Sequence, residues 1–132
     1  MNELAHAAEN GRAPPCLLVL FGARGDLARR LVLPALYNLK RAGQLDDNFA
    51  ILGFDHGDIS ERTWRRKISD AMHEQATKGG GEFEAEGLDT EAWNWLNKRM
   101  HYLRGDFTKA ADYRALKTLL AELDTRYETQ GN

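Results

Sequence analysis

An α/β fold, part of a doubly wound parallel sheet, is what this sequence predicts, and three observations carry the prediction. Cys16-Leu17-Leu18-Val19-Leu20-Phe21 is an unbroken apolar run, the pattern of a strand buried on both faces of a sheet. Gly22-Ala23-Arg24-Gly25-Asp26-Leu27-Ala28 follows at once and spaces small residues as G-x-x-G-x-x-A, a relative of the dinucleotide-binding fingerprint. Downstream, short apolar runs alternate with helix-period stretches, as parallel strands joined by helical crossovers require.

Each small residue of that turn has a physical task. Gly22 lets the chain leave the strand in a tight turn that a Cβ would hinder. Gly25 lets backbone amides come close to a phosphate, and Ala28 keeps the following helix near the strand. The unpaired amides at the helix start then face the anion, and the helix dipole favours negative charge there. The plainer alternative is a strand-to-helix turn whose glycines serve the fold alone.

The other elements follow in order. Residues 1–15 are polar, end in Gly11, Pro14 and Pro15, and read as a flexible lead. A helix over Asp26–Ala42 carries Leu27, Leu31, Val32, Leu33, Leu36, Tyr37 and Leu39, a stripe wide enough to imply cover on several sides, with Gly43 as its C-cap. Pro34 lies inside it and predicts a distortion or a new first turn. Phe49–Phe54 is the second strand. Asp58-Ile59-Ser60-Glu61 fits a capping box for a helix to about Thr77 whose buried face is Trp64, Ile68, Ala71 and Met72. Arg62, Arg65, Arg66 and Lys67 on its other face read as solvated, against the alternative of a phosphate or nucleic-acid patch. Residues 78–87 are a glycine- and glutamate-rich loop. Asp89 caps a short helix with Trp93 and Leu96, Arg99–Leu103 is a third strand, and a last helix after Thr108 packs Tyr113, Leu116, Leu120, Leu123 and Tyr127 on the sheet. The order β-α-β-α-α-β-α makes residues 16–132 a partial Rossmann-type domain of about three strands, order 3-2-1, flanked by helices and truncated before a fourth strand. The first strand would then be an edge, which leaves self-association through that edge open.

Composition excludes several classes of function. Across 132 residues, 18 basic against 20 acidic side chains leave a net charge of -2, so no global field draws the chain to nucleic acid or to an anionic membrane. Cys16 is the only cysteine, which rules out an internal disulfide, and in a buried strand it is a small core residue. His6, His56, His73 and His101 show no metal-ligand spacing. No stretch has the ~20 apolar residues of a membrane span or the apolar core of a secretory signal, which points to the cytoplasm.

Phe21-Gly22-Ala23-Arg24-Gly25-Asp26-Leu27-Ala28-Arg29-Arg30, continuing to Leu33-Pro34-Ala35-Leu36-Tyr37-Asn38-Leu39, resembles the N-terminal coenzyme-binding segment of the glucose-6-phosphate dehydrogenase family. That family writes a Gly-Ala-x-Gly-Asp-Leu-Ala turn and a Leu-Pro-x-Leu-x-x-Leu continuation. Tyr102-Leu103-Arg104-Gly105-Asp106-Phe107, with Tyr113 beyond, resembles the family's third-strand exit. The resemblance runs from Leu17 to Tyr127 and is thin between Ser60 and Arg99.

The resemblance implies oxidation of glucose 6-phosphate to 6-phosphogluconolactone, the pentose phosphate entry reaction, by hydride transfer from carbon 1 to the nicotinamide of NADP. It implies coenzyme-binding roles for Gly22, Ala23, Arg24, Gly25, Asp26, Leu27, Ala28, Arg29, Asp55 and His56. The family's Asp-His-Tyr-Leu-Gly-Lys and Glu-Lys-Pro motifs do not occur here, so no catalytic residue is assigned, and the chain alone is expected to bind nucleotide at most. Glucose 6-phosphate becomes a partner only with the missing catalytic domain. At the end of the second strand an acid accepts from the ribose hydroxyl of NAD and an arginine accommodates the 2′-phosphate of NADP. Asp55 suits the first, His56 stands where the family has arginine, Arg24 could offset that exchange, and both coenzymes stay open. Leu31 stands where the family places lysine. The alternative is a non-catalytic nucleotide-binding or protein-interaction module derived from the same family.

Overall fold

A computed structural model describes residues 12–78 and 87–132. The expected lead over residues 1–11 and the loop over 79–86 lie outside the described residues. Residues just before the first strand are tied to the molecule, with the Ala13 amide donating to the Gln44 carbonyl at 2.9 Å.

The sheet has three parallel strands, β1 (Cys16–Phe21), β2 (Phe49–Asp55) and β3 (Met100–Arg104), with β2 in the centre. This is the 3-2-1 order expected of half a doubly wound sheet. The register pairs Val19 with Leu52 and Leu52 with His101. Helices α1 (Leu33–Arg41), α2 (Glu61–Lys78) and α3 (Thr90–Asn97) cover one face, where Leu33, Tyr37, Trp64, Met72, Trp93 and Leu96 pack on Ile51 and Met100. Helix α4 (Ala110–Tyr127) covers the other, setting Leu116 and Leu123 against Leu52 and Phe54. Alternate residues of β2 feed opposite cores, as the two-residue period of a strand demands. Among the described residues no helix is long and apolar enough to cross a membrane.

Several elements differ from the sequence reading. β2 is buried along its whole length, whereas β1, more apolar by composition, is only half-buried, because among the described residues a strand flanks it on one side alone. Cys16 is accordingly half-buried, and burial raises its thiol pKa. The helix after the turn is not uniform. Ala28–Val32 form a π-helical turn in which the Leu33 amide donates to the Ala28 carbonyl, and Pro34 then sits in the first turn of α1, where its missing amide costs no ladder bond. Its apolar stripe is covered on one side only, leaving Leu27 and Leu31 exposed. At the C-terminus of α1, Gly43 takes φ +71° and the Gln44 amide donates to the Leu39 carbonyl, the glycine-terminated ending the sequence predicts.

The cap of α2 is Ser60, whose Oγ accepts from the Thr63 amide at 3.0 Å. Asp58 does not cap it, and Glu61 is drawn instead to β3, where its Oε1 accepts from the Tyr102 amide at 3.0 Å. Asp89 caps α3 as expected, accepting from the Ala92 amide. In α4, Leu116 and Leu123 are buried, but Tyr113 is exposed and touches Phe54 only at the helix's open end.

Candidate functional site

The C-terminal ends of the three strands converge on the turn after β1. Gly22 takes φ +73°, a region L side chains avoid, and its amide donates to the Phe54 carbonyl at 2.9 Å, stitching the turn to β2. The Gly25 amide donates to the Gly22 carbonyl at 2.8 Å, and a Cβ on Gly25 would stand 3.0 Å from that oxygen. Ala23 and Ala28 are buried against the fold, while Arg24, Gly25, Asp26, Leu27 and Arg29 are exposed. The amides of Asp26, Leu27 and Ala28 open the helix and have no carbonyl one turn back within it to bond. The turn therefore presents open backbone donors at the positive end of a helix, and among the described residues no side chain seals it. A diphosphate fits this arrangement.

Two buried contacts hold the turn in place. The Trp64 indole donates to the Ala23 carbonyl at 3.0 Å, tying the turn to α2. Gly53 makes room for it, since a Cβ there would lie 2.7 Å from the Ala23 Cβ and 2.9 Å from the indole ring. The sequence reading placed Trp64 in the core but gave Gly53 no role. A glycine inside an otherwise apolar strand is the signal for such a close approach.

Asp55, at the end of β2, is turned inwards. Its Oδ2 accepts from the Arg24 amide at 2.9 Å, and its Oδ1 accepts from the His56 amide at 2.7 Å and lies 3.0 Å from His56 Nδ1. The carboxylate shapes the glycine turn from below. Its side chain is 8% exposed, against 77% for His56. Asp26 pairs with Arg29 and Arg30 at 2.9 and 3.0 Å, and those bonds hold its pKa below the usual carboxylate range.

The predicted site residues thus come together around one turn, and further groups join them that the sequence reading missed. The Arg24 side chain lies across Gly57, where any Cβ would overlap its guanidinium. The Tyr102 hydroxyl donates to the Gly57 carbonyl at 2.7 Å, and burial raises its pKa. Arg104 Nε donates to the His56 carbonyl at 3.4 Å. Gly57 lies two residues past β2 and Arg104 is the last residue of β3, and the carboxyl ends of the strands are the positional signal for a ligand site in this fold class.

Residues 19–132 match the family described as glucose-6-phosphate dehydrogenase, NAD binding domain. The chain is similar to glucose-6-phosphate 1-dehydrogenase of Chlamydia pneumoniae, 38% identical over 119 residues that cover 90% of this chain and 22% of that protein. It is 34% identical to the Chlamydia muridarum protein of the same name, with the same coverage. The crystal structure of glucose-6-phosphate 1-dehydrogenase from Mycobacterium avium superposes with a TM-score of 0.63 and 34% identity over 78% of this chain and 20% of that one. A glucose-6-phosphate dehydrogenase in complex with its substrate glucose-6-phosphate has the same fold, with a TM-score of 0.71 at 24% identity, covering 86% of this chain and 22% of that one. The chain spans about a fifth of the length of the relatives it matches.

Proposed function

We infer that this chain, which belongs to the glucose-6-phosphate dehydrogenase family as its NAD binding domain, holds the diphosphate and adenosine part of a pyridine dinucleotide on the turn after β1. The observation that carries this reading is the exposed run Arg24–Leu27 at the start of a helix, with Gly22 at positive φ and Gly25 placed so that a Cβ would stand only 3.0 Å from the Gly22 oxygen. Gly22, Ala23, Gly25, Asp26, Leu27, Ala28 and Arg29 form the diphosphate cradle, and Asp55 and His56 border the ribose. NADP is the coenzyme this reading favours. The Asp55 carboxylate, the natural acceptor for the ribose hydroxyl of NAD, already serves the Arg24 and His56 amides, and Arg24 stands free beside it.

Within a full-length protein the domain serves oxidation of glucose 6-phosphate. The coenzyme accepts the hydride, and this chain's residues bind and orient its adenosine end. Glucose 6-phosphate itself is bound by parts this sequence does not contain. A cytoplasmic location belongs to the same proposal, in keeping with a lone cysteine that leaves no internal disulfide to form. Self-association through the outer side of β1 belongs to it too, supported by the half-exposed apolar strand there.

Calorimetric titration of the folded chain with NADP and NAD tests the reading. Binding of NADP, abolished by Gly25→Trp in a sample that keeps its circular dichroism, is the expected result. Glucose-6-phosphate-dependent NADP reduction by this chain alone is expected to be absent. A folded chain that takes up neither coenzyme would leave the interaction module as the better account.

A further inference from the structure

We propose that Tyr127 is an activated nucleophile, served by His101 as its base and Glu61 as the orienting carboxylate at the outer edge of β3, and that it takes up an acyl group from an acyl phosphate. The site lies across the sheet from the glycine turn, towards the amino end of β3, and is independent of the coenzyme reading.

Three elements meet there. Glu61, in the first turn of α2, sets its Oε1 3.2 Å from His101 Nδ1, and the Tyr102 amide donates to the same oxygen at 3.0 Å, which fixes the carboxylate. A carboxylate only accepts, so Nδ1 carries the imidazole proton and Nε2 is left bare. The Tyr127 hydroxyl, 2.7 Å from Nε2 at the end of α4, is then the donor. Nucleophile, base and orienting acid thus follow one another within hydrogen-bond reach, the arrangement that activates a hydroxyl for attack. His101 is 8% exposed and Tyr127 is half-buried. The charges that bear on the imidazole are Glu61 and Arg65 from α2 and Arg126 from α4. Burial, helped by the two arginines, outweighs Glu61 and keeps the ring in its neutral, basic form at neutral pH.

Guanidinium groups surround this relay. Arg99, just before β3, lies near enough for a Tyr127 phenolate to act on it, and its Nε is buried with no hydrogen-bond partner among the described residues. Arg126 neighbours the tyrosine in the chain and has no ion pair among the described residues. Charge that develops on the phenol oxygen is therefore met by cations already in place, and the same cations draw an anionic donor. Among the described residues the cluster holds one base and no second group to protonate a leaving group. The leaving group must then depart unprotonated, as phosphate does from an acyl phosphate. Tyr127 Oη attacks the carbonyl carbon, His101 Nε2 takes the phenolic proton and later gives it to solvent, and the carbon–oxygen bond to phosphate breaks with its electron pair. The products are a tyrosyl ester and inorganic phosphate.

Incubation of the folded chain with acetyl phosphate, read by intact and peptide mass, tests this. An acetyl group should appear on the peptide that carries Tyr127, and neutral hydroxylamine should remove it, as it removes a phenyl ester and not a lysine amide. Tyr113, 42% exposed on the same helix, should stay unmodified. Tyr127→Phe should abolish the label in a sample that keeps its circular dichroism, and His101→Gln should slow it about a hundredfold. Glu61→Gln, which removes the orienting charge and spares the imidazole, should slow it too. The parent rate should be level from about pH 7 to about pH 9 and fall below the usual imidazole value of about 6.5, whereas an unaided phenol gains about tenfold per pH unit over the higher interval. Labelling of Tyr113 as fast as Tyr127, a parent rate that climbs with pH like an unaided phenol, or rates unchanged in His101→Gln and Glu61→Gln would each overturn the proposal. A phosphoryl group on Tyr127 would do so as well, since attack would then fall on phosphorus. The absence of any label would leave the cluster as a brace for the edge and nothing more.

Discussion

The two outer strands of the sheet are finished differently. β3 presents its outward groups to α2, where Arg65 Nε donates to the Met100 carbonyl at 2.6 Å, its Nη2 donates to the Lys98 carbonyl at 3.3 Å, and Glu61 accepts from the Tyr102 amide. His101 joins the same cluster, with Nδ1 3.2 Å from Glu61 and Nε2 2.7 Å from the Tyr127 hydroxyl. Among the described residues β1 has no such cover. The amides of Cys16 and Gly22 point to β2, so those of Leu17, Val19 and Phe21 point outwards, and among the described residues the one hydrogen bond to them is from the Leu17 amide to the Asn132 main-chain oxygen at 3.0 Å. A charged helix side protects one edge, while the other is apolar and bears an exposed Phe21. Among the described residues, then, one edge is covered by side chains of a neighbouring helix and the other is not.

The largest expected effect comes from proline along β1. At Leu18 it deletes an amide that faces β2 and should cost about 3 kcal/mol or more, enough to unfold a marginal domain. At Val19 it deletes an outward amide, and edge strands tolerate that. Thermal denaturation should therefore show Leu18→Pro unfolded and Val19→Pro folded, with sedimentation velocity of Val19→Pro showing less concentration-dependent association than the parent. Equal damage from the two would mean that β1 is paired on both sides.

Next in size is the covered edge. Replacing Glu61 and Arg65 together by alanine leaves the Tyr102 amide and the Met100 carbonyl without their partners at a partly buried site. Each lost bond costs about 1–3 kcal/mol, so urea denaturation should show a loss of about 2–4 kcal/mol. A loss below about 0.5 kcal/mol would mean that water replaces both side chains and that the edge is no better protected than β1.

Much of this was legible before any coordinates. The apolar run, the glycine spacing and the helix periods fix the strand order and the turn, because they depend on local geometry and on burial of one face. The covered edge was not legible. Glu61 and Arg65 are ordinary residues of a helix start, and their contacts span 41 and 35 residues of sequence, which no local pattern reports. The same holds for Asp55. Its position at a strand end suggests a ribose ligand, whereas its bond to the Arg24 amide, 31 residues away, makes it a support for the turn. The exposure of Leu27 and Leu31 escaped the periodicity because an apolar stripe does not say which neighbours are present to cover it.

The covered edge should also carry a pH signature. Burial is the main cause that lowers the His101 pKa, with Arg65 and Arg126 acting in the same direction and Glu61 opposing them. The folded chain then binds this proton less readily than the unfolded chain, so stability is flat above the usual imidazole value of about 6.5 and falls as pH drops below it. The carboxylates of Asp26, Glu74, Asp106 and Asp124 are held low by hydrogen bonds, and their contribution is lost only further down, below the usual carboxylate value of about 4. Urea midpoints should fall between about pH 7 and about pH 5 in the parent. They should stay level over that interval in His101→Gln. A slope that survives the substitution would place the titrating group elsewhere.

The smallest effect belongs to the open edge. Asn132 reaches β1 through its main-chain oxygen, which accepts from the Leu17 amide, and the residue before the strand through its Nδ2, which donates to the Pro15 carbonyl at 3.0 Å. Asn132→Ala removes the exposed side-chain bond to Pro15 and keeps the main-chain oxygen on the Leu17 amide, so it should cost only about 0.5–1 kcal/mol. Amide hydrogen exchange resolves a change of that size. In the parent, the Leu17 amide should exchange more slowly than the Val19 amide, which faces the same side with no partner among the described residues. In Asn132→Ala, which loosens the segment that carries that oxygen by removing its anchor on Pro15, Leu17 should move towards Val19 while the Leu18 amide, paired with β2, keeps its protection. Were Leu17 and Val19 to exchange at equal rates already in the parent, Asn132 would contribute nothing to the edge, and β1 would be open from end to end.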